Sequence, residues 1–198
     1  MTTIYIMRHS ESLRVNDDES NDNFQVKNEK KVLSVYGEEL AKERTKDINV
    51  DIVYASNYVR AIQTAKYISE DINIVDGLGE RVFGINRWDE LPENYERKQF
   101  LDENLKIGYG ESQKDVRERM TNAINKIIED NKGKRIAIVS HGTAISYYLK
   151  NYCDIEIDND KLVYKYNNKI ILNGHFNHCE TFKMEFDDNN NLISLKNI

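Results

Sequence analysis

Residues 135–143 read Arg-Ile-Ala-Ile-Val-Ser-His-Gly-Thr, an apolar run that ends in polar residues. A near-continuous apolar run of this length is typical of a strand in a parallel sheet that is covered on both faces. Residues 142–151 then favour a helix, and Gly133 ends the preceding helical pattern. This stretch therefore predicts a buried strand that ends at Ser140, with His141 at the junction between the strand and the next helix.

The N-terminus repeats the arrangement, because the apolar run 4–7 is followed by Arg8, His9 and Ser10. Between these two stretches the apolar patterns alternate between strand and helix. Further strands are predicted at 51–55, 72–75, 162–166, 169–172, 181–186 and 192–195, and helices at 37–47, 56–70 (with Ser56 as its cap), 93–105 (weak) and 115–130. Alternation of this kind predicts an α/β fold, a three-layer helix-sheet-helix sandwich around a mostly parallel central sheet.

Composition limits the class of protein. The chain has 198 residues, with 28 Lys and Arg against 34 Asp and Glu, and a formal net charge of −6. A net acidic chain argues against a nucleic-acid or anionic-membrane partner, because such partners select for a basic surface. No apolar run approaches the roughly 20 residues that span a bilayer. The N-terminus lacks signal-peptide features and the cysteines number only two, so we expect a cytoplasmic protein without a disulfide framework.

The length favours a single domain over residues 1–198. Residues 14–32 interrupt the periodic pattern with an acidic, turn-forming run and a basic one, and we interpret them as a surface loop or as a lid or specificity loop. Residues 85–110 form a second variable segment, which could cap the site. The sequence does not predict the oligomeric state.

His9 and His141 both follow predicted strands, where ligands bind in open α/β sheets. Arg8 stands beside the first histidine, and Arg60 follows another predicted strand end. Guanidinium groups offer planar forks of donors that match phosphate or carboxylate. Together these four residues predict one cationic pocket for a small dianionic ligand, with phosphate the better choice.

Several short motifs stand in a specific order along residues 3–150. They are Arg8-His9-Ser10-Glu11; Leu33-Ser34 with Gly37; Tyr54-Ala55-Ser56 with Arg60-Ala61 and Gln63-Thr64-Ala65; Leu78-Gly79-Glu80 with Phe83-Gly84; Gly110-Glu111-Ser112; and Ser140-His141-Gly142-Thr143. In this order the chain resembles the histidine phosphatase superfamily, the phosphoglycerate mutase-like proteins.

The resemblance implies a catalytic role for five residues. His9 would be the nucleophile that accepts the phosphoryl group, and Arg8, Arg60 and His141 would surround the phosphoryl oxygens. Glu80 would be the general acid for the leaving alcohol and then the base for water, which requires a carboxyl group that keeps its proton near neutral pH beside an apolar neighbour such as Phe83.

Other residues are candidates for substrate contacts. Ser10 and the backbone N–H groups of Gly142 and Thr143 could bind the anion. Gln63 and Thr64 are as well explained by packing as by ligand contact. Residues 175–179 read His-Phe-Asn-His-Cys, which lacks a convincing ligand set, so we predict no metal site and no cofactor.

The implied activity is a metal-independent phosphomonoesterase acting on a small phosphorylated metabolite. Ser10 stands where the family usually has glycine, and Asn57 where proline is common. In the mutase branch of the family, several basic residues that bind a bisphosphorylated cofactor follow the acid residue. In this chain the segment after Glu80 offers only Arg87, Arg97 and Lys98. A bisphosphoglycerate-dependent mutase and a non-catalytic phospho-ligand binding module remain the alternatives.

Overall fold

The computed structural model describes residues 1–13, 22–159 and 161–198. The strands are β1 (Thr2–Arg8), β2 (Ile52–Ala55), β3 (Ile72–Ile74), β4 (Arg135–Ser140), β5 (Asp154–Asp158), β6 (Lys161–Tyr166), β7 (Lys169–Asn173), β8 (Thr181–Phe186) and β9 (Leu192–Asn197). The α-helices are α1 (Phe24–Lys30), α2 (Val35–Thr45), α3 (Val59–Ala65), α4 (Tyr95–Leu101), α5 (Gln113–Asp130) and α6 (Gly142–Leu149), with short 3-10 helices at Asp76–Leu78 and Trp88–Glu90.

The central sheet has six strands in the order β3-β2-β4-β1-β8-β9. The pairs β3-β2, β2-β4 and β4-β1 are parallel. The pairs β1-β8 and β8-β9, at one edge of the sheet, are antiparallel. The predicted mostly parallel sheet is confirmed.

Strand β4 shows why the sheet is covered on both faces. Ile136 and Ile138 are fully buried in a cluster with residues of α5 and α6, whereas Ala137 and Val139 are buried against α3. Successive side chains of a strand point to opposite faces, so an apolar residue at every position needs helices on both. The three-layer architecture follows from this pattern.

The two histidine-bearing strands are neighbours. Strands β1 and β4 run parallel, with Arg8 paired to Ser140, and the N–H of His9 donates to the Ser140 carbonyl over 2.9 Å. The N–H of Ser56 donates to the Val139 carbonyl on the other side of β4 over 3.0 Å. The carboxyl ends of β1, β4 and β2 therefore meet at one place in the sheet.

Two local predictions were wrong. Within the predicted 14–32 loop, residues 24–30 form helix α1, because the Asn23 side chain caps the Val26 N–H and Phe24 is buried in an aromatic cluster; residues 14–21 lie outside the described residues. Ser56 does not cap a helix, since α3 begins only at Val59, with Tyr58 as its N-cap residue.

A second, three-stranded antiparallel sheet comprises β5, β6 and β7, of which the sequence patterns predicted only β6 and β7. Its Tyr164 and Leu172 join the same core as α5 and α6. Cys153 and Cys179 are both free and buried. None of the helices in the described ranges combines the length and apolar character that crossing a membrane requires.

Candidate active site

His9 is held in one tautomer. Its Nδ1 lies 2.6 Å from the Ser10 carbonyl, which can only accept, so Nδ1 carries the proton. Its Nε2 accepts a hydrogen bond from Nε of Arg60 over 2.9 Å, and this guanidinium can only donate. The lone pair of Nε2 therefore faces the cationic group of Arg60.

His141 lies beside His9, with the two ring centroids 5.0 Å apart. Its Nδ1 accepts from Nη2 of Arg60 over 3.2 Å, so its protonated Nε2 donates to the Ser56 hydroxyl over 2.7 Å. The Tyr58 ring packs 4.8 Å from the Arg60 guanidinium. One arginine thus hydrogen-bonds both imidazoles.

Burial and charge keep both imidazoles neutral. Burial, then the Arg60 guanidinium, then Arg8 hold the pKa of His9 well below its usual range. Burial and Arg60 likewise hold the pKa of His141 well below that range. Both rings therefore remain unprotonated through neutral pH.

These pKa values predict how stability depends on pH. An unfolded histidine takes up a proton near pH 6.5, whereas folded His9 and His141 do so only at much lower pH. Below about pH 6.5 the unfolded state therefore binds more protons, and the free energy of unfolding falls by up to about 1.4 kcal/mol per pH unit for each histidine. The free energy of unfolding, measured by chemical denaturation at several pH values in this range, should fall less steeply with decreasing pH in a His9→Asn variant than in the wild type. An equal slope would contradict the neutral state of His9.

Glu80 is oriented by backbone donors. Its Oε1 accepts from the N–H of Arg81 over 2.8 Å and from that of Ala144 over 3.1 Å. Ala144 is the third residue of α6, so its N–H is one of the helix donors without an intrahelical partner. Oε2 has no hydrogen bond within the described ranges and is left to a ligand. The nearby Phe83 ring packs against Phe24 and Trp88.

A cavity of about 410 Å³ joins most of these groups, and it is lined by Arg8, His9, Glu80, Gly142 and Thr143. Nη1 of Arg8 donates to the Phe176 carbonyl, and its buried Nε has no partner among the residues described. Arg8, His9, Glu80 and the start of α6 are thus brought together at one opening, with Arg60 and His141 buried directly behind His9.

Ser10 and Thr64 support His9 from beneath. The Ser10 hydroxyl, fully buried, donates to the Gly37 carbonyl over 2.7 Å, and the Ser10 N–H donates to the Thr64 hydroxyl over 3.0 Å. A Cβ on Gly37 would lie 2.0 Å from the Glu11 carbonyl oxygen, so this close approach needs glycine. The Gln63 side chain accepts from the Leu33 N–H. The sequence left Gln63 and Thr64 open between packing and ligand contact, and in the structure both bond to other parts of the chain. The serine hydroxyl is directed at the Gly37 carbonyl.

Arg119, which the sequence analysis missed, holds residues 77–80 in place by hydrogen bonds to their backbone. From α5 it donates to the carbonyls of Gly77, Gly79 and Glu80 over 2.9–3.0 Å and to both carboxylate oxygens of Glu111 over 2.6 and 2.8 Å. The signal was present only as Glu111 in a quoted motif, because Arg119 has no motif of its own.

The cavity extends beyond His9, and the wall of this outer part carries side chains of both charges. This wall includes Asn94, Tyr95, Glu96 and Arg97 from the predicted cap segment 85–110, together with Arg81, Lys161 and His175. Within the described parts of the chain, no group of three or more His, Cys, Asp or Glu side chains is placed to hold a metal ion.

Comparisons with known proteins give a family and a fold. A family model for the histidine phosphatase superfamily (branch 1) matches residues 4–185. No curated protein sequence matches the chain.

Similar solved structures share the fold. A phosphoserine phosphatase mutant from Entamoeba histolytica, in complex with phosphoserine, is 19% identical with a TM-score of 0.66, covering 99% of this chain and 97% of that one. Phosphoserine phosphatase from the same organism in complex with 3-phosphoglyceric acid is 20% identical with a TM-score of 0.66, over 99% and 97%. A mycobacterial glucosyl-3-phosphoglycerate phosphatase is 13% identical with a TM-score of 0.69, over 99% and 95%.

Proposed function

Since the chain belongs to the histidine phosphatase superfamily, we propose that it is a phosphomonoesterase that hydrolyses a small phosphorylated metabolite through a phosphohistidine. The observation that carries the proposal is the tautomer of His9, with Nδ1–H donated to Ser10 and an unprotonated Nε2 among two arginines. A neutral imidazole whose lone pair has a fixed direction can attack the phosphorus atom of a phosphate ester as a nucleophile.

The first step transfers the phosphoryl group to His9. As substrate enters, its phosphoryl group displaces the Arg60 Nε–H from Nε2, and Arg60 turns its donors to the phosphoryl oxygens. The Nε2 lone pair then forms the N–P bond while the P–O bond to the alcohol breaks. Oε2 of Glu80, entering as the protonated acid, gives its proton to the departing oxygen.

The second step reverses these roles. Oε2 of Glu80, now a carboxylate, takes a proton from water as the water oxygen attacks phosphorus and the N–P bond breaks. The products are inorganic phosphate and neutral His9, with the Glu80 proton restored. Both steps pass through a transition state with charge on the phosphoryl oxygens, which Arg8, Arg60 and the N–H groups of Gly142 and Thr143 would stabilise. His141 would hold Arg60 in place through the hydrogen bond from Arg60 Nη2 to its Nδ1.

The size of the site supports a small substrate. A cavity of about 410 Å³ accommodates a phosphate and a short leaving group. The similar structures named above include phosphatases of phosphoserine and of glucosyl-3-phosphoglycerate, which supports a metabolite as the substrate.

The direct test uses nitrophenyl phosphate with an excess of a metal chelator. We expect steady release of nitrophenol and phosphate that the chelator does not reduce, together with an acid-labile phosphoenzyme in quenched samples. Binding of phosphate esters without turnover would favour the binding module. Isomerisation stimulated by a bisphosphorylated cofactor would favour the mutase.

Arg119 provides a second test, because it positions Glu80 without lining the cavity. In an Arg119→Met variant three carbonyls and Glu111 lose their donor, and we expect about 2 kcal/mol less stability and a kcat lowered by about tenfold or more, as misplaced acid–base groups lose most of their effect. Lysine should restore little, since it lacks the planar fork of donors. Steady-state kinetics and chemical denaturation measure both effects.

A matched control lies on the same helix. Arg117 pairs with Glu103 over 2.9 Å, away from the Glu80 loop, so Arg117→Met should leave kcat unchanged. Equal losses of kcat in the two variants would exclude a specific role for Arg119.

A further inference from the structure

Glu96 is a carboxyl group in the cavity that the mechanism above does not use. It lies on α4 and lines the same cavity as His9 and Glu80. In the described part of the chain, no Lys, Arg or His side chain forms an ion pair with it, although thirteen such pairs join other side chains there. A half-buried carboxylate without a cationic partner can accept a donor from a ligand in the cavity.

The groups around Glu96 explain why it remains unpaired. The Arg81 guanidinium acts on Glu96 by its charge, but its Nη1 donates to Gln99 and to the Tyr147 hydroxyl, and it stacks 5.0 Å from the Tyr95 ring. His175 also lines the cavity and forms no ion pair with Glu96 among the described residues. The Arg81 Nη1 is therefore already engaged by partners other than the Glu96 carboxylate.

The electrostatics of Glu96 agree with this geometry. Burial raises the pKa of Glu96, and the Glu80 carboxyl raises it further, while the Arg81 guanidinium and His175 oppose both. The Ser146 hydroxyl also faces it. A carboxylate on the wall of this cavity favours a cationic ligand group over a neutral one, because opposite charges attract more strongly where water is partly excluded.

Arg81 supplies an independent sign of a ligand at this wall. It is 3% exposed, it lines the cavity, and its Nε has no hydrogen-bond partner among the described residues. Buried donors are nearly always satisfied, so an acceptor on the bound molecule would complete this site.

We propose that the leaving alcohol carries a protonated amine, which Glu96 binds while Arg8 and Arg60 hold the phosphoryl group. The substrate class is then phosphate monoesters of amino alcohols, amino acids included. This inference rests on the proposed phosphatase function, and it adds the identity of the leaving group.

Three alkyl phosphates of equal size test the proposal. They are 2-aminoethyl phosphate, 2-hydroxyethyl phosphate and propyl phosphate, which place an ammonium, a hydroxyl and a methyl group at the same position. In the wild type we expect kcat/KM for the amine to exceed that for the other two by at least about tenfold, mainly through a lower KM. In Glu96→Gln that preference should vanish, and in Glu93→Gln, a control at an exposed position outside the cavity, it should persist.

The comparison separates the possible failures. Preferences are ratios within one variant, so a general loss of activity cancels. Equal kcat/KM on the three esters in the wild type, a preference for the hydroxyl, or a uniform loss in Glu96→Gln would overturn the role of Glu96. If the wild type also fails to hydrolyse nitrophenyl phosphate, the phosphatase proposal itself fails, whereas hydrolysis of nitrophenyl phosphate without amine preference overturns only this inference.

Discussion

Replacing His9 by alanine should lower kcat on nitrophenyl phosphate by about a thousandfold or more and abolish the acid-labile phosphoenzyme, since removing a nucleophile removes the covalent route. The structure explains why no other group could substitute. His141 is the nearest imidazole, but its Nδ1 accepts from Arg60 and its Nε2 donates to Ser56. It therefore has no lone pair to offer, whereas that of His9 is covered only by a guanidinium that phosphate would draw away.

The matched control is His178→Ala. His178 lies near the site, since the Arg8 charge helps to lower its pKa, but it does not line the cavity. We expect this variant to form the phosphoenzyme at the wild-type level. Measured turnover in His9→Ala, with the thermal unfolding transition retained, would rule out His9 as the nucleophile. A phosphoenzyme in His9→Ala would move that role to another residue.

The parts of the fold that the sequence predicted are those with local causes. Residues 136–139 are all apolar, so the strand needs helices on both of its faces, and this pattern alone predicts the helix-sheet-helix sandwich that the structure shows. His9 and His141 could be placed together because both follow strands, and parallel neighbours end at the same edge. Local pattern was therefore enough to predict that the two histidines lie side by side.

Other features depend on contacts between distant residues. Helix α1 is short and has no periodic apolar pattern. It is stabilised by the packing of Phe24 against Phe83 and Trp88. Ser56 is a good N-cap residue by type, but its hydroxyl is used by His141, 85 positions away. The surroundings of Glu96 and the partners of Arg119 are likewise set by tertiary packing, which residue spacing in the sequence does not reveal.

Substitution of Glu80 by glutamine should affect substrates according to the quality of their leaving group. Glutamine can still accept through its Oε1 from the N–H groups of Arg81 and Ala144, so the side chain should keep its place while losing the transferable proton. Transfer from an alkyl phosphate should then slow by about 10²–10⁴-fold, the usual contribution of a general acid. Transfer from nitrophenyl phosphate should be nearly unaffected, because nitrophenolate leaves without a proton.

The same variant should reveal the second role of Glu80. With no base to activate water, the phosphohistidine should accumulate, so nitrophenyl phosphate should give a burst of about one nitrophenol per active site followed by a slow phase. Rapid-mixing absorbance and acid-quench labelling would measure the burst and the phosphoenzyme together. Equal slowing of alkyl and aryl substrates without a burst would instead assign Glu80 to binding alone, because a group that acts only in proton transfer must distinguish a leaving group that needs a proton from one that does not.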